Sequence, residues 1–207
     1  MSKQLFIIVL VWLVPSLAWS AAPPNEIRYS YIEGYIGGGE VEVFGEDIDA
    51  VEYGISGSVA VHPNIALFAA IGGGKLETKE VCDQFNLDCP DLDVKQFAVG
   101  INPHFPLGDT VDIVIPVAYQ WVELDASGYE SEDDSGYSIG LGLRALLTPA
   151  FELGVGVQHV DVGGEDGDTQ TVGGSIRWHI TELFSLAAGI EAGSDSREAL
   201  LGARFTF

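Results

Sequence analysis

The chain has few positive charges and few sulfur-containing residues. Of its 207 residues only 9 are Lys or Arg, against 31 that are Asp or Glu, and the formal net charge is −22. Nucleic acid and anionic lipid surfaces repel such a chain, so a nucleic-acid partner is excluded. The sequence contains one methionine and two cysteines. Two cysteines without two further soft ligands nearby do not form a structural zinc site.

Long apolar runs are absent after the first twenty residues. The run over residues 5–17 is followed by Ala18, Trp19 and Ser20, a small-x-small pattern that predicts signal-peptide cleavage after Ser20. A membrane-anchor helix is the alternative, but the run is shorter than the ~20 residues that such a helix needs. The sequence therefore predicts a signal peptide over residues 1–20 and a mature domain over residues 21–207.

Helical periodicity is also absent, and apolar residues alternate with small or polar ones instead. This period of two is typical of β-strands. The last eight residues alternate in this way and end on an aromatic residue, as suits a strand with one face on lipid. The alternation predicts about ten strands, over residues 29–43, 51–62, 65–76, 94–105, 110–123, 136–147, 151–161, 169–180, 184–193 and 200–207.

The connections between these strands fall into two kinds. Short turns at one end alternate with mostly longer, acidic loops at the other, and an even strand number with this asymmetry is typical of an outer-membrane barrel. A soluble β-sandwich or a lipocalin-like barrel also alternates. The aromatic residues favour the membrane, because they fall near both ends of the strands, as two lipid interfaces require. They are Tyr119, Trp121 and Tyr137 at the loop end, and Phe151, Trp178, Phe184, Phe205 and Phe207 at the turn end.

Three stretches carry a family resemblance: GSVAVHPN at residues 57–64, GLGLRALL at 140–147 and GARFTF at 202–207. With them the chain resembles the small acidic outer-membrane β-barrels of Gram-negative bacteria, related to the OmpA/OmpX type. The resemblance implies an all-β, antiparallel up-and-down transmembrane barrel of about ten strands, with eight as the alternative. It places the protein in the bacterial outer membrane, in contact with lipid and lipopolysaccharide, and it brings no established activity.

Within such proteins the terminal aromatic strand is implied to be read by the barrel-assembly machinery. Phe205 and Phe207 match that signal here. Two features depart from the pattern. Pro116 lies inside a predicted strand, where it removes a hydrogen-bond donor, and the cysteine-containing loop is not supplied by the resemblance.

Cys82 and Cys89 lie close together in the longest predicted loop, over residues 77–93. After a secretory signal the compartment is oxidising, which favours a disulfide between them over two free thiols. On the chain-entropy model such a short bridge stabilises the fold by about 2–3 kcal/mol.

Charged residues recur on the inward face near the turn end of the predicted barrel. We expect an ion-pair network there, formed by Arg144, Glu152, Arg177, Arg204 and Asp112. One interpretation is structural: the charges pair and fill a narrow lumen. The other is a narrow water-filled pore with a charged constriction. The structural interpretation is favoured, and it gives the protein a structural or surface-interaction role.

The remaining motifs give weaker signals. The acidic loops are either solvated faces or Ca²⁺ sites that bridge carboxylates and lipid phosphates, with residues 163–168 as the best candidate. His159 and Asp161 share a face, but no nucleophile accompanies them. The sequence therefore predicts no catalytic residue, no cofactor and no enzyme activity.

Overall fold

The computed structural model describes residues 27–43, 46–78, 92–126, 131–163 and 168–207. These residues contain no helix that is long and apolar enough to cross a membrane. The strands are β1 (Tyr31–Val43), β2 (Glu46–His62), β3 (Ile65–Leu76), β4 (Leu92–Pro106), β5 (Val111–Val114), β6 (Val117–Ala126), β7 (Glu132–Thr148), β8 (Phe151–Val162), β9 (Asp168–His179), β10 (Phe184–Gly193) and β11 (Ser196–Thr206).

The strands form one closed antiparallel barrel. Consecutive strands pair with each other, and β11 returns to pair with β1 from Tyr31 opposite Thr206 to Val41 opposite Ser196. Strands β5 and β6 are two parts of one barrel strand, because both pair with β4 on one side and β7 on the other. Over the described residues the barrel therefore has ten strands, which confirms the predicted fold class.

Pro116 causes the break between β5 and β6. Proline has no N–H to donate, so the ladder is interrupted at this point. Neighbouring bonds hold the register: Gly140 N donates to the Pro116 carbonyl at 2.8 Å, and Ile115 N donates to the Pro103 carbonyl at 2.9 Å. The proline thus interrupts the strand without changing its course around the barrel.

The strands extend further at the loop end than the alternation predicted. Glu46, Asp47 and Asp49 were expected in an acidic loop, but they belong to β2, and residues 132–134 belong to β7. The expectation was wrong because acidic residues on the outward face of a strand do not end it. In β2, Asp47 and Asp49 alternate with buried Ile48 and Ala50, so these two charges face outward while the strand continues.

The outer wall divides into two zones. An apolar band begins at the short turns and reaches Val51 on β2, Phe97 on β4 and Tyr137 on β7. Along β2 the band runs from Val61 to Val51, which at ~3.4 Å per residue and a tilt near ~40° gives a height of about 25 Å. That height fits the hydrocarbon layer of a bacterial outer membrane.

Above this band the outward residues are charged and the inward residues are apolar. The outward set, which we call the acidic collar, comprises Glu40, Asp47, Asp49, Asp93, Glu123, Asp125, Asp133 and Asp161. The inward set, which we call the apolar core, is buried and comprises Val41, Ile48, Ala50, Leu76, Val94, Val122, Leu124, Val160 and Val162. Above the apolar band, the barrel therefore has a charged outer face and an apolar interior, as a water-soluble barrel does.

The apolar core predicts a matched pair of stability effects. Replacing Val94 by Ala is expected to lower the free energy of unfolding by about 2 kcal/mol, since two buried methyl groups are lost and a cavity remains. Replacing its outward neighbour Asp93 by Ala is expected to change it by less than about 1 kcal/mol, because the 3.5 Å pair with Lys75 is exposed. Urea unfolding of the detergent-folded protein, followed by tryptophan fluorescence, measures both; equal effects would contradict a packed core.

Candidate functional site

Glu33 on β1 joins two arginines inside the barrel. It lies directly opposite Arg204 on β11, and it accepts a hydrogen bond from Arg204 Nε at 3.0 Å and a second from Nη2 of the same guanidinium. Its other oxygen accepts a bond from Arg177 Nη2 at 2.7 Å. Glu33 and both arginines are buried, so this is a desolvated network of one anion and two cations.

A separate buried ion pair lies beside this network. Arg144 Nε and Nη2 donate to Glu152 Oε1 at 2.9 and 2.6 Å, and neither side chain is exposed to solvent. His179 Nε2 lies 3.3 Å from the other Glu152 oxygen. In the strand register Glu152 faces Arg177, yet Arg177 donates to Glu33 instead. The pairing is thus set by positions across the lumen as well as by neighbours in the sheet.

The residues just before β1 close the turn end of the lumen. Tyr29 donates to Asp112 at 2.5 Å, and its ring stacks on His104 at 3.6 Å between centroids. Asp112 lies in register opposite Arg144, whose guanidinium lies 4.9 Å from the centroid of the Tyr29 ring. The structure therefore brings all five predicted network residues to this end of the lumen.

Glu33, the centre of the network, was not among its predicted members. The sequence feature that indicates an inward position for Glu33 is the alternation along β1. Glu33 shares a face with Tyr31 and Tyr35, and Ile32 lies on the other face. Glycine makes room for it, because a Cβ at Gly202 would lie 2.8 Å from Glu33 Oε1. The carboxylate can therefore lie flat against the wall between the two arginines.

Three further glutamates lie in the lumen between this charged network and the apolar core. They are Glu52 on β2, Glu191 on β10 and Glu198 on β11, and we call them the acidic chamber. Glu52 and Glu198 are buried, Glu191 is half-buried, and Glu191 lies directly opposite Glu198. Among the described residues no three His, Cys, Asp or Glu side chains converge closely enough to hold a metal ion by themselves.

Several predicted features lie elsewhere. His159 and Asp161 lie on the outer face of β8. There the Tyr137 and His159 rings pack edge to face, with their centroids 6.3 Å apart. Phe205 and Phe207 point outward at the turn end of the closing strand and are half exposed. Cys82, Cys89, the predicted signal peptide and residues 164–167 lie outside the described residues.

Comparisons with known proteins agree with this architecture. The sequence profile of the outer membrane protein beta-barrel domain family matches residues 7–179. No curated protein matches the chain. Among solved structures, the transport unit of the autotransporter AIDA-I from Escherichia coli is similar with a TM-score of 0.56 and 11% identity, covering 99% of this chain and 96% of that chain.

Two more structures are similar at comparable identities. The beta domain of the Bordetella autotransporter Brka has a TM-score of 0.55 and 9% identity, covering 87% of this chain and 100% of that chain. Neisserial surface protein A has a TM-score of 0.45 and 12% identity, covering 86% of this chain and 96% of that chain. Similarity at these identities concerns the fold and not the activity.

The charged network predicts a large effect at Glu33. Replacing Glu33 by Gln is expected to lower the free energy of unfolding by about 3–5 kcal/mol, because two buried guanidinium groups lose their counter-charge. Glu40→Gln, on the outer face of the same strand, is the control and should change little. The measurement is urea unfolding in detergent micelles, and equal effects of the two substitutions would contradict a desolvated network.

Proposed function

The chain belongs to the outer membrane protein β-barrel family and lies in the bacterial outer membrane, and from this premise we propose that it acts as a closed, non-conducting barrel. Its role in this proposal is structural: it spans the membrane rigidly and presents an acidic outer wall at the loop end. The proposal needs no catalytic residue and no cofactor.

The observation that carries the proposal is that side chains fill the lumen at two levels. Near the turn end, Arg144, Glu152 and Arg204 have no solvent exposure. Near the loop end, Val41 and Val162 have none either. Residues that line a water-filled channel keep contact with water, as the lumen of a porin does. Complete burial at both levels supports a barrel that passes neither ions nor solutes.

A narrow pore is the second candidate, and one observation favours it. A cavity of about 60 Å³ lies inside the barrel, partly lined by Thr171, Gly173, Ser175 and Gly189. Small side chains there leave space that a larger residue would fill. For conduction, however, both the Tyr29–Asp112 contact and the apolar core have to open, so the pore requires two separate rearrangements.

The surface interaction that we propose is with lipopolysaccharide. The acidic collar begins where the apolar band ends, at the height of the lipid head groups. Lys75 and Lys95 lie in this zone and pair with Asp93 at 3.5 Å and Glu123 at 2.8 Å. Ammonium groups contact lipid phosphates directly, and divalent cations bridge phosphates to carboxylates. Calcium at the acidic loops, residues 163–168 above all, belongs to the same proposal.

The closed barrel predicts the absence of conductance. The purified protein, reconstituted in a planar lipid bilayer at high salt, is expected to give no discrete current steps, because both levels of the lumen are filled. A porin inserted in the same bilayer is the control for detection. Regular steps of one amplitude that appear only with this protein would favour the pore instead.

The closing strand predicts an assembly defect. We expect Phe207→Ser to lower the amount of folded barrel in outer-membrane fractions several-fold, if the assembly machinery reads the terminal aromatic residue. Phe151→Ser is the control, since Phe151 is also outward and half exposed at the turn end but lies on β8. The heat-dependent shift of the band on an SDS gel reports folding; equal losses for both variants would count against a specific signal.

A further inference from the structure

We propose that a cleft on the outer wall binds the phosphorylated sugar head group of an outer-leaflet glycolipid, with Arg197 on β11 as the phosphate contact. The inference rests on the proposed interaction with lipopolysaccharide, and it assigns that interaction to one side of the barrel. We call this site the wall cleft, and its outward-facing lining residues are Gly38, Glu40, Asp49, Val51, Arg197 and Ala199.

Three charged residues form the upper edge of the wall cleft. In the strand register Glu40 lies opposite Asp49 on β2 and opposite Arg197 on β11, so the three side chains stand in one row. All three are exposed. The backbone of Arg197 is held in place, because its carbonyl occupies the space that a Cβ at Gly39 would need. The guanidinium therefore projects outward from a fixed point on the wall.

The row of residues below this edge forms a recess. Gly38 lies opposite Val51 on one side and Ala199 on the other, and the glycine and the alanine leave the space in front of the sheet open. One step further down, Ile36 and Leu201 lie opposite each other and are 61% and 59% exposed, so they close the recess at its lower edge. The cleft measures about 460 Å³. Ligand sites typically measure roughly 300–1,000 Å³.

The Arg197 guanidinium is open to a ligand. Among the ion pairs of the described residues none involves Arg197, although Glu40 lies directly opposite it. Lys75 and Lys95, by contrast, pair with neighbouring carboxylates. A guanidinium donates two parallel hydrogen bonds to a phosphate group, whereas a lysine acts as a point charge. Arg197 is therefore suited to hold a phosphate in one orientation at the edge of the cleft.

The other residues of the cleft determine what accompanies the phosphate. Glu40 and Asp49 carry carboxylates, which accept hydrogen bonds and repel a second anion. The groups next to them must therefore be donors, and the hydroxyl and amide groups of a sugar are donors of this kind. Below the recess the wall is apolar, and acyl chains of the same molecule lie against Ile36 and Leu201. Phosphate, sugar and acyl chains together make a phosphorylated glycolipid.

The test measures glycolipid binding by the full barrel in detergent. The probe is lipid A, the phosphorylated diglucosamine anchor of lipopolysaccharide, and native mass spectrometry gives the number of retained molecules and, by titration, an apparent Kd. EDTA is present, so that divalent bridges to the acidic collar do not contribute. The wild type is expected to retain about one lipid A per chain, because the cleft offers one guanidinium. Dephosphorylated lipid A should bind more weakly by at least about tenfold.

Arg197→Gln should raise the apparent Kd for lipid A by at least about tenfold, because the two parallel hydrogen bonds to phosphate are lost. Arg28→Gln is the control, since it removes the same charge just before β1 at the turn end, and it should keep the wild-type Kd. Equal losses in the two variants would overturn the proposal, because they would report the net charge of the barrel and not a site.

A second variant fills the recess and leaves every charge in place. A Cβ at Gly38 would meet only the Ala50 carbonyl, at 3.5 Å, so Gly38→Leu is expected to fold and to raise the apparent Kd by at least about tenfold. Gly34→Leu is the matched control on the same face of β1 below the recess, where a Cβ would meet only the Gly54 carbonyl, at 3.9 Å. The heat-dependent gel shift reports the folding of both. Unchanged binding in folded Gly38→Leu would overturn the site.

Divalent cations separate this inference from the proposal on which it rests. Lipid A that binds with Mg²⁺ but not with EDTA would overturn the wall cleft and still support an interaction of the acidic collar with lipopolysaccharide. Absence of binding under both conditions would overturn both. Phosphatidylethanolamine that binds as tightly as lipid A would overturn the sugar head group as the occupant. A dimer of barrels that Gly38→Leu separates would assign the cleft to a second copy of the chain instead.

Discussion

The pairing of β1 with β11 is the constraint on which the rest of the structure depends. Hydrocarbon offers no hydrogen-bond partner, so a spanning sheet must leave no edge strand open. Closing the sheet also fixes its radius, because the strand number and stagger determine how wide the lumen is. The inward side chains then have to fill that space. The buried Glu33 network and the apolar core are two solutions to the same demand, at two heights.

The two heights differ because the surroundings of the outer wall differ. Inside the lipid band the wall is apolar, and polar side chains such as Arg144 and Glu152 fill the lumen and satisfy each other. Above the band the wall meets water, and valines such as Val94 and Val160 gain by packing in the lumen instead. Along a single strand, the apolar residues therefore change from the outward face in the lipid band to the inward face above it.

The sequence predicted the alternation well and the ion-pair network without its central carboxylate. Strands β3 and β10 begin and end where the pattern placed them, and short turns at residues 63–64 and 194–195 mark one end of each. Glu33 was not predicted as the centre of the network, because its partners on β9 and β11 lie 144 and 171 positions further along the sequence. The start of β2 was not predicted because its acidic residues are typical of a loop. The strand is indicated only by the apolar residues between them, Ile48 and Ala50.

The acidic collar has a consequence for which positions of the chain can vary over time. Because it is carried on strands with a packed interior, alternate positions tolerate replacement while the positions between them, such as Ile48 beside Asp47 and Asp49, do not. Sequence variation in this wall can therefore accumulate only at every second residue. Divergence within the collar would then show a period of two along each strand.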